Sequence, residues 1–349
     1  MPLMLGETAF VFDGREVATG EIVFEAVRCG EWATLEWELV DGIDRLRELE
    51  RGGIEIGDAD LRPPLVAWRR ERRLLAAEDY HAWLAERELT IEDVSEHLRR
   101  RVAVERAGAS ERRQTDPADS TAGAAHAEAI LSGRLSAWAQ RLARRKAARQ
   151  ALLARHVDPE RPSAAAVEKL VEDALTAPGT DLGAESAELL RSWAGEVLEL
   201  DDAWKRLTEA VAQQPAIERC VASHHLDWQR LEWEEATFVR EDVAAEAAQW
   251  VREDGADLAL VAAQANGICG EVAAYGYEQP ELASLLLGAH PSDLVGPMAI
   301  EDGWRLVQLR ARTAPDTADP TLRARASEEL LEDALAPHLS GRVEWHARL

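Results

Sequence analysis

Cysteine is scarce in this 349-residue chain, and the three present, Cys29, Cys220 and Cys269, are far apart and odd in number. That excludes a disulfide framework and a paired-cysteine zinc site, and it fits a reduced compartment. No apolar run approaches the ~18 residues of a membrane span. Met1 to Phe12 has neither a basic n-region nor an apolar stretch of signal-peptide length, so the expected location is cytoplasmic. A Gly-rich phosphate loop, a G-x-S-x-G elbow, an H-E-x-x-H pair and an acidic calcium loop are all missing. The common enzyme classes therefore lack support, and no cofactor or metal is expected. Basic charge is short as well. Lys and Arg number 40 against 65 Asp and Glu, a net −25 that argues against nucleic acid or an anionic membrane as the partner of the whole chain.

What is present is mostly helix former. Ala, Leu, Glu and Arg dominate, so helix should far exceed strand, and the length suits two or three compact units. Leu35, Leu39, Ile43, Leu46 and Leu49 recur at helical spacing within Trp32 to Glu50, and Gly52-Gly53 ends that helix. A second helix follows, its start blurred by Pro63-Pro64, and then a short one at 76 to 87. Thr90 with Asp93 makes a capping-box start for Ile91 to Arg106. Ala107 to Ala125 lacks apolar periodicity and reads as a linker. Ile130 to His156 reads as one long helix, and Ser163 caps Ala164 to Leu175. A turn is expected over Pro178 to Gly183. Glu185 to Leu200 and Asp202 to Ala212 read as two helices, and Pro215 to His225 as another. Near the N-terminus, Asp13-Gly14 between apolar residues suggests a small hairpin. From His97 to Arg155 there are 13 Arg plus Lys against 5 Asp plus Glu. The simplest reading of that basic segment is a solvated helix face, the alternative a face for an anion or acidic peptide.

Residues 231 to 312 differ from the rest. Leu231 to Val239 reads as a strand, Glu241 to Arg252 and Asp257 to Gln264 as helices, and Cys269 to Tyr277 as an irregular Gly-rich segment with room for a short strand. Pro280 to Leu287 is a further helix. Leu294 to Ile300 and Trp304 to Arg310 form a hairpin turned at Glu301-Asp302-Gly303. The fold class is thus mainly α with a small α+β domain, its sheet mainly antiparallel. Leu322 to Leu339 is the last helix, and Val343 to Trp345 a terminal strand.

The order of elements in 231 to 312, with Asp-Leu-Val-Gly-Pro at 293 to 297 and Gly-Trp-Arg-Leu-Val at 303 to 307, resembles the parvulin-type peptidyl-prolyl isomerase domain. Residues 33 to 106, with Ile56-Gly-Asp-Ala-Asp, an Arg-rich helix, a Trp-Leu helix and Leu-Thr-Ile-Glu-Asp-Val at 89 to 94, resemble the N-terminal helical lobe of SurA-type chaperones. In that family the two modules occur together, the lobe binds unfolded peptides, and the last helix packs into it. The resemblance implies an N-terminal lobe over 1 to 106, a linker over 107 to 125 and a helical middle over 126 to 230. A parvulin-like domain over 231 to 314 and a returning helix over 315 to 349 complete it. This sequence departs from the family where an isomerase would work. Leu231 to Val239 carries no His, and Arg305 stands in place of the second His.

The resemblance therefore implies a degenerate domain and no catalytic residues. It points to a non-catalytic chaperone or scaffold that binds an unfolded or precursor peptide, in one version presenting it to a modifying enzyme in peptide natural-product maturation. The alternatives are a divergent isomerase using Arg305 or Cys269, and a structural subunit of an enzyme complex. Candidate peptide-binding residues are Trp32, Trp37, Trp68 and Trp83 in the lobe, and Trp233, Phe238, Met298 and Trp304 in the sheet domain. Trp at helical spacing is usually core, yet peptide-binding grooves also use Trp because it combines large apolar area with few rotatable bonds. Cys220 and His224 share a helix face, but nothing nearby in sequence supplies the third ligand that zinc needs.

Overall fold

A computed structural model describes residues 6–107, 122–177, 182 and 185–346. Most of the expected linker, and the turn at Pro178 to Gly183 apart from Leu182, lie outside the described residues. The chain divides into two compact units, 1–207 with 334–349, and 208–333. This division is coarser than the five segments expected. The protein is mainly α with small antiparallel sheets.

The first unit opens on a hairpin, β1 (Thr8–Phe12) and β2 (Arg15–Ala18), turned at Asp13-Gly14. The terminal strand Val343–Trp345 pairs antiparallel with β1, and Trp345 meets Phe10 at 5.1 Å between ring centres. Helices α1 (Thr19–Arg28) and α2 (Glu31–Arg51) follow, separated at Gly30. Then come α3 (Asp58–Glu71), α4 (Ala77–Glu86) and α5 (Ile91–Ala107). The expected capping box is formed: Thr90 N donates to Asp93 Oδ2 at 2.7 Å, and Asp93 N to Thr90 Oγ1 at 3.1 Å. Helices α2 and α5 pack closely at Gly42, where a Cβ would lie 2.9 Å from the Cβ of Arg100.

The expected helix over Ile130 to His156 is two helices, α6 (Ala122–Leu131) and α7 (Arg134–Leu153). Gly133 breaks it with φ +80, a left-handed conformation that glycine adopts without penalty. Helix α8 (Ala164–Thr176) is capped by Ser163, whose side chain accepts from Ala166 N. The two helices expected over 185 to 212 are one, α9 (Ala187–Val211).

The second unit begins at Thr208 and contains α10 (Gln214–Ser223), β3 (Arg230–Phe238), α11 (Glu241–Glu253), α12 (Leu258–Gln264), β4 (Ile268–Tyr275) and α13 (Pro280–Gly288). The hairpin β5 (Leu294–Ile300) and β6 (Gly303–Thr313) and the first part of α14 (Pro320–Leu339) complete it. The sheet is antiparallel in the order β4-β3-β6-β5. The irregular segment expected at Cys269 to Tyr277 is a regular eight-residue strand paired along β3. Its glycines weaken side-chain packing but leave the ladder hydrogen bonds intact.

Strand alternation gives the sheet two faces, each with its own core. On one, Ala236, Phe238 and Leu306 pack against Ala244, Ala248, Val251, Leu258 and Val261 of α11 and α12. On the other, Leu231, Trp233, Val307 and Leu309 pack against Leu282, Ala283 and Leu286 of α13. Each fully buried side chain of this size contributes ~1.5–3 kcal/mol, so both faces are covered by helix. A third cluster joins Ile217, Cys220 and Val221 of α10 to Trp228 and to Leu322 and Ala326 of α14.

Candidate functional site

The central strands of the sheet are where the resemblance implies an isomerase site. Register puts Trp233, Glu235 and Thr237 of β3 opposite Leu309, Val307 and Arg305 of β6, and Met298 of β5 opposite Arg305. Glu235 anchors the polar contacts there. Its Oε2 accepts from the Trp233 indole at 3.2 Å and lies 3.6 Å from the Arg305 guanidinium. The position where the resemblance leads one to expect an imidazole thus holds an internal ion pair. Arg305 lies beside Glu235, while its buried Nε has no hydrogen-bond partner among the described residues.

Within the second unit, the four sheet candidates lie on two faces. Trp233 and Met298 share the α13 face, whereas Phe238 and Trp304 pair with each other on the α11 and α12 face. Trp32, Trp68, Trp233 and Phe238 are buried, and Trp37, Trp83, Met298 and Trp304 half-buried. Trp68 is a keystone of the helical lobe. Its indole donates to the Leu131 carbonyl at 3.1 Å, Arg72 stacks on it at 4.1 Å, and Trp83 meets it edge-on at 5.3 Å. Trp32 packs on Trp138 at 6.0 Å. Cys269 points to the opposite sheet face from Arg305, donating to Glu234 at 3.3 Å. Burial and that carboxylate push its thiol up to about 12, so it is no nucleophile at neutral pH.

Among the described residues of the basic segment, most Arg and Lys side chains pair with acidic ones, while Arg101 and Arg155 are exposed. Arg141 pairs with Glu31, Arg145 with Glu25 and Asp201, Arg149 with Glu199, and Arg100 with Glu128. Lys146 is nearly buried between Glu21 at 2.7 Å and Glu196 at 2.5 Å. Burial pushes the Glu21 carboxyl up against the pull of Lys146. In Glu196 the same burial penalty is outweighed by Lys146 and Arg15, and its carboxyl is held below the usual range.

Sequence reasoning missed a cleft of ≈450 Å³ in the second unit, lined by His224, Asp227, Trp228, Tyr277, Arg325 and Glu329 among others. Arg325 stacks over the Tyr277 ring at 3.8 Å, and Tyr275 stacks on Tyr277 at 5.4 Å. In a chain with only 3 Tyr, two within one short segment were the available signal. A different set of residues marks the helical lobe. Of the fifteen large apolar side chains that are exposed among the described residues, five, Ile54, Val66, Leu75, Ile91 and Val104, lie there. Among the described residues no helix is long and apolar enough to cross a membrane.

No protein-family model matches the chain, and no curated protein sequence does. Among solved structures, the chain is similar to PrsA from Bacillus subtilis at 11% identity, over 62% of this chain and 88% of that one, with a TM-score of 0.20. It is also similar, at 8% identity over 97% of this chain and 98% of the other, to a structure described with the SurA-like chaperones PEB4 and Cj1289 of Campylobacter jejuni, again with a TM-score of 0.20. Likenesses at that score carry no statement about what this chain does.

Proposed function

We propose that the chain is a non-catalytic peptide-binding protein whose working surface is the helical lobe spanning 33 to 106. The observation that carries this reading is the exposure of Ile54, Val66, Leu75, Ile91 and Val104 on the module that the resemblance assigns to peptide binding; among the described residues, six further exposed large apolar side chains lie in the second unit. Exposed apolar side chains favour apolar segments of a partner chain. The Glu235–Arg305 pair on the sheet supports the absence of prolyl catalysis. A net charge of −25 favours peptides with basic flanks, through a salt-dependent on-rate. The finer reading is a cytoplasmic scaffold that presents a precursor peptide to a modifying enzyme, and it rests on the sequence resemblance alone.

Titrating the full chain with short apolar peptides carrying basic flanks, followed by Trp fluorescence, tests the reading. Saturable binding is expected, weakened about tenfold by Leu75→Asp or Ile91→Asp, since each removes about one buried aliphatic contact. Absence of binding, or binding indifferent to both substitutions, removes the lobe as the working surface.

A further inference from the structure

The second unit holds a set of side chains that peptide binding does not use. Cys220, His224 and Glu329 offer a thiol, an imidazole and a carboxylate whose ligand atoms all lie within 4.8 Å of one another. The first two sit one turn apart at the end of α10, and the third comes from α14, far along the sequence. That distance is why the sequence suggests no third ligand. All three residues belong to the unit spanning 208–333.

The imidazole is held in a ligand's orientation. Its Nδ1 lies 3.0 Å from the Cys220 carbonyl oxygen and 3.2 Å from the Ser223 hydroxyl; in the tautomer protonated at Nδ1 it donates to that carbonyl. The ring is stacked on Trp228, with centres 4.5 Å apart and 12° between planes. Nε2 is left facing Glu329 Oε1 at 3.3 Å. An Nδ1–H tied to a carbonyl, with Nε2 presented outward, is the arrangement that fixes metal-binding histidines. The spacing fits as well. Metal–ligand bonds of about 2.0–2.3 Å in a tetrahedron place ligand atoms roughly 3.3–3.8 Å apart. From separations of up to 4.8 Å, the trio would close to that range on binding.

Burial is graded across the set. Cys220 is buried in the cluster with Ile217, Val221 and Trp228, whereas His224 and Glu329 line the open cleft. Three protein ligands on one side and a cleft on the other leave a coordination position facing solvent, as in open zinc sites. Asp333, one turn beyond Glu329 on α14, adds negative charge toward the thiol. Mixed sulfur, nitrogen and oxygen donors suit a borderline-soft cation and not calcium or magnesium.

We propose that Cys220 Sγ, His224 Nε2 and a carboxylate oxygen of Glu329 bind one zinc-class transition-metal ion, with its fourth position open to the cleft. On binding, the Cys220 thiol releases its proton to solvent and the thiolate becomes the ligand. The ion clips the start of the second unit to α14. The competing arrangement is an imidazolium–Glu329 ion pair beside a bystander thiol, and it binds no metal.

The test is cobalt titration of the full chain, reduced and stripped with chelator, followed by displacement with zinc. One equivalent of Co²⁺ should produce a near-ultraviolet thiolate-to-cobalt charge-transfer band that Zn²⁺ abolishes. Cys220→Ser should remove the band, while the Cys29→Ser, Cys269→Ser double variant keeps it. Glu329→Gln alters a part-exposed side chain, so circular dichroism should be unchanged while zinc affinity falls roughly 10- to 100-fold. A native chain without the band, a band that survives Cys220→Ser, or unchanged zinc affinity in folded Glu329→Gln would each overturn the proposal.

Discussion

The two units solve the problem of charge in different ways. In the first, several charged pairs are set into an otherwise apolar interior: Lys146 is held by Glu21 and Glu196, Glu25 by Arg28 and Arg145, and His97 and Arg100 by Glu128. In the second, the cores on both sheet faces are apolar, and the buried Glu234 is paired with Arg310, whose side chain is largely exposed. Helices that present one long face to several neighbours juxtapose charges from distant segments. A sheet that alternates inward and outward residues separates them. Much of the described part of the basic segment is thereby paired with acidic side chains of the same unit.

The sharpest way to break this comparison is Lys146→Met. It leaves Glu21 and Glu196 without their shared cation, and should cost about 3–5 kcal/mol in chemical denaturation. Arg310→Met, the matched change in the second unit, should cost less, because solvent reaches the guanidinium. Equal losses would erase the distinction.

In the second unit the vulnerable point is backbone geometry. Gly303 has φ +147, and a Cβ there would lie 2.2 Å from the Phe238 carbonyl oxygen. Gly303→Ala should destabilise by about 1–3 kcal/mol and loosen the β3–β6 pairing in hydrogen exchange. An unperturbed exchange pattern would show that the hairpin does not depend on that approach.

Glu36 sharpens the comparison from the other side. It is buried on α2, and burial pushes its carboxyl up against the opposing pull of the Trp32 indole. The folded state therefore holds this proton more tightly than the unfolded chain. Its favourable contribution is complete below the ordinary glutamate value of ~4.3 and is lost as pH rises through the raised one. Glu36→Met should stabilise at neutral pH by about 1–2 kcal/mol and flatten the decline over that window. A variant equally stable at pH 4 and less stable at pH 7 would contradict this.

The smallest effect is expected at Thr90. Removing its cap with Thr90→Ala should cost about 1 kcal/mol, read as a modest fall in Tm.

How legible each feature was in the sequence follows from the range of the forces that make it. The Thr90–Asp93 box, the Ser163 cap and the Glu301-Asp302-Gly303 hairpin depend on neighbours, and their residues announce them. The break at Gly133 was hidden because apolar spacing continues through it. The continuity of α9 was hidden for the opposite reason. Asp201-Asp202 looks like a helix stop, but Asp201 is bound by Arg28 and Arg145, and Asp202 by Arg206. Of the candidate surface, the missing sheet His residues were readable directly. The Glu235–Arg305 pair, the Trp228–Tyr277 cleft and the approach of Glu329 to Cys220 join distant segments that no local pattern links.

Peptide binding without catalysis is tested most directly by one experiment on the full chain with a proline-containing apolar peptide. Binding is followed by fluorescence, and cis–trans exchange of the same peptide by NMR. Saturable binding with an exchange rate equal to that of the free peptide is the predicted result. Acceleration of exchange that Arg305→Ala abolishes would contradict it, and would return the sheet to the role of an active site.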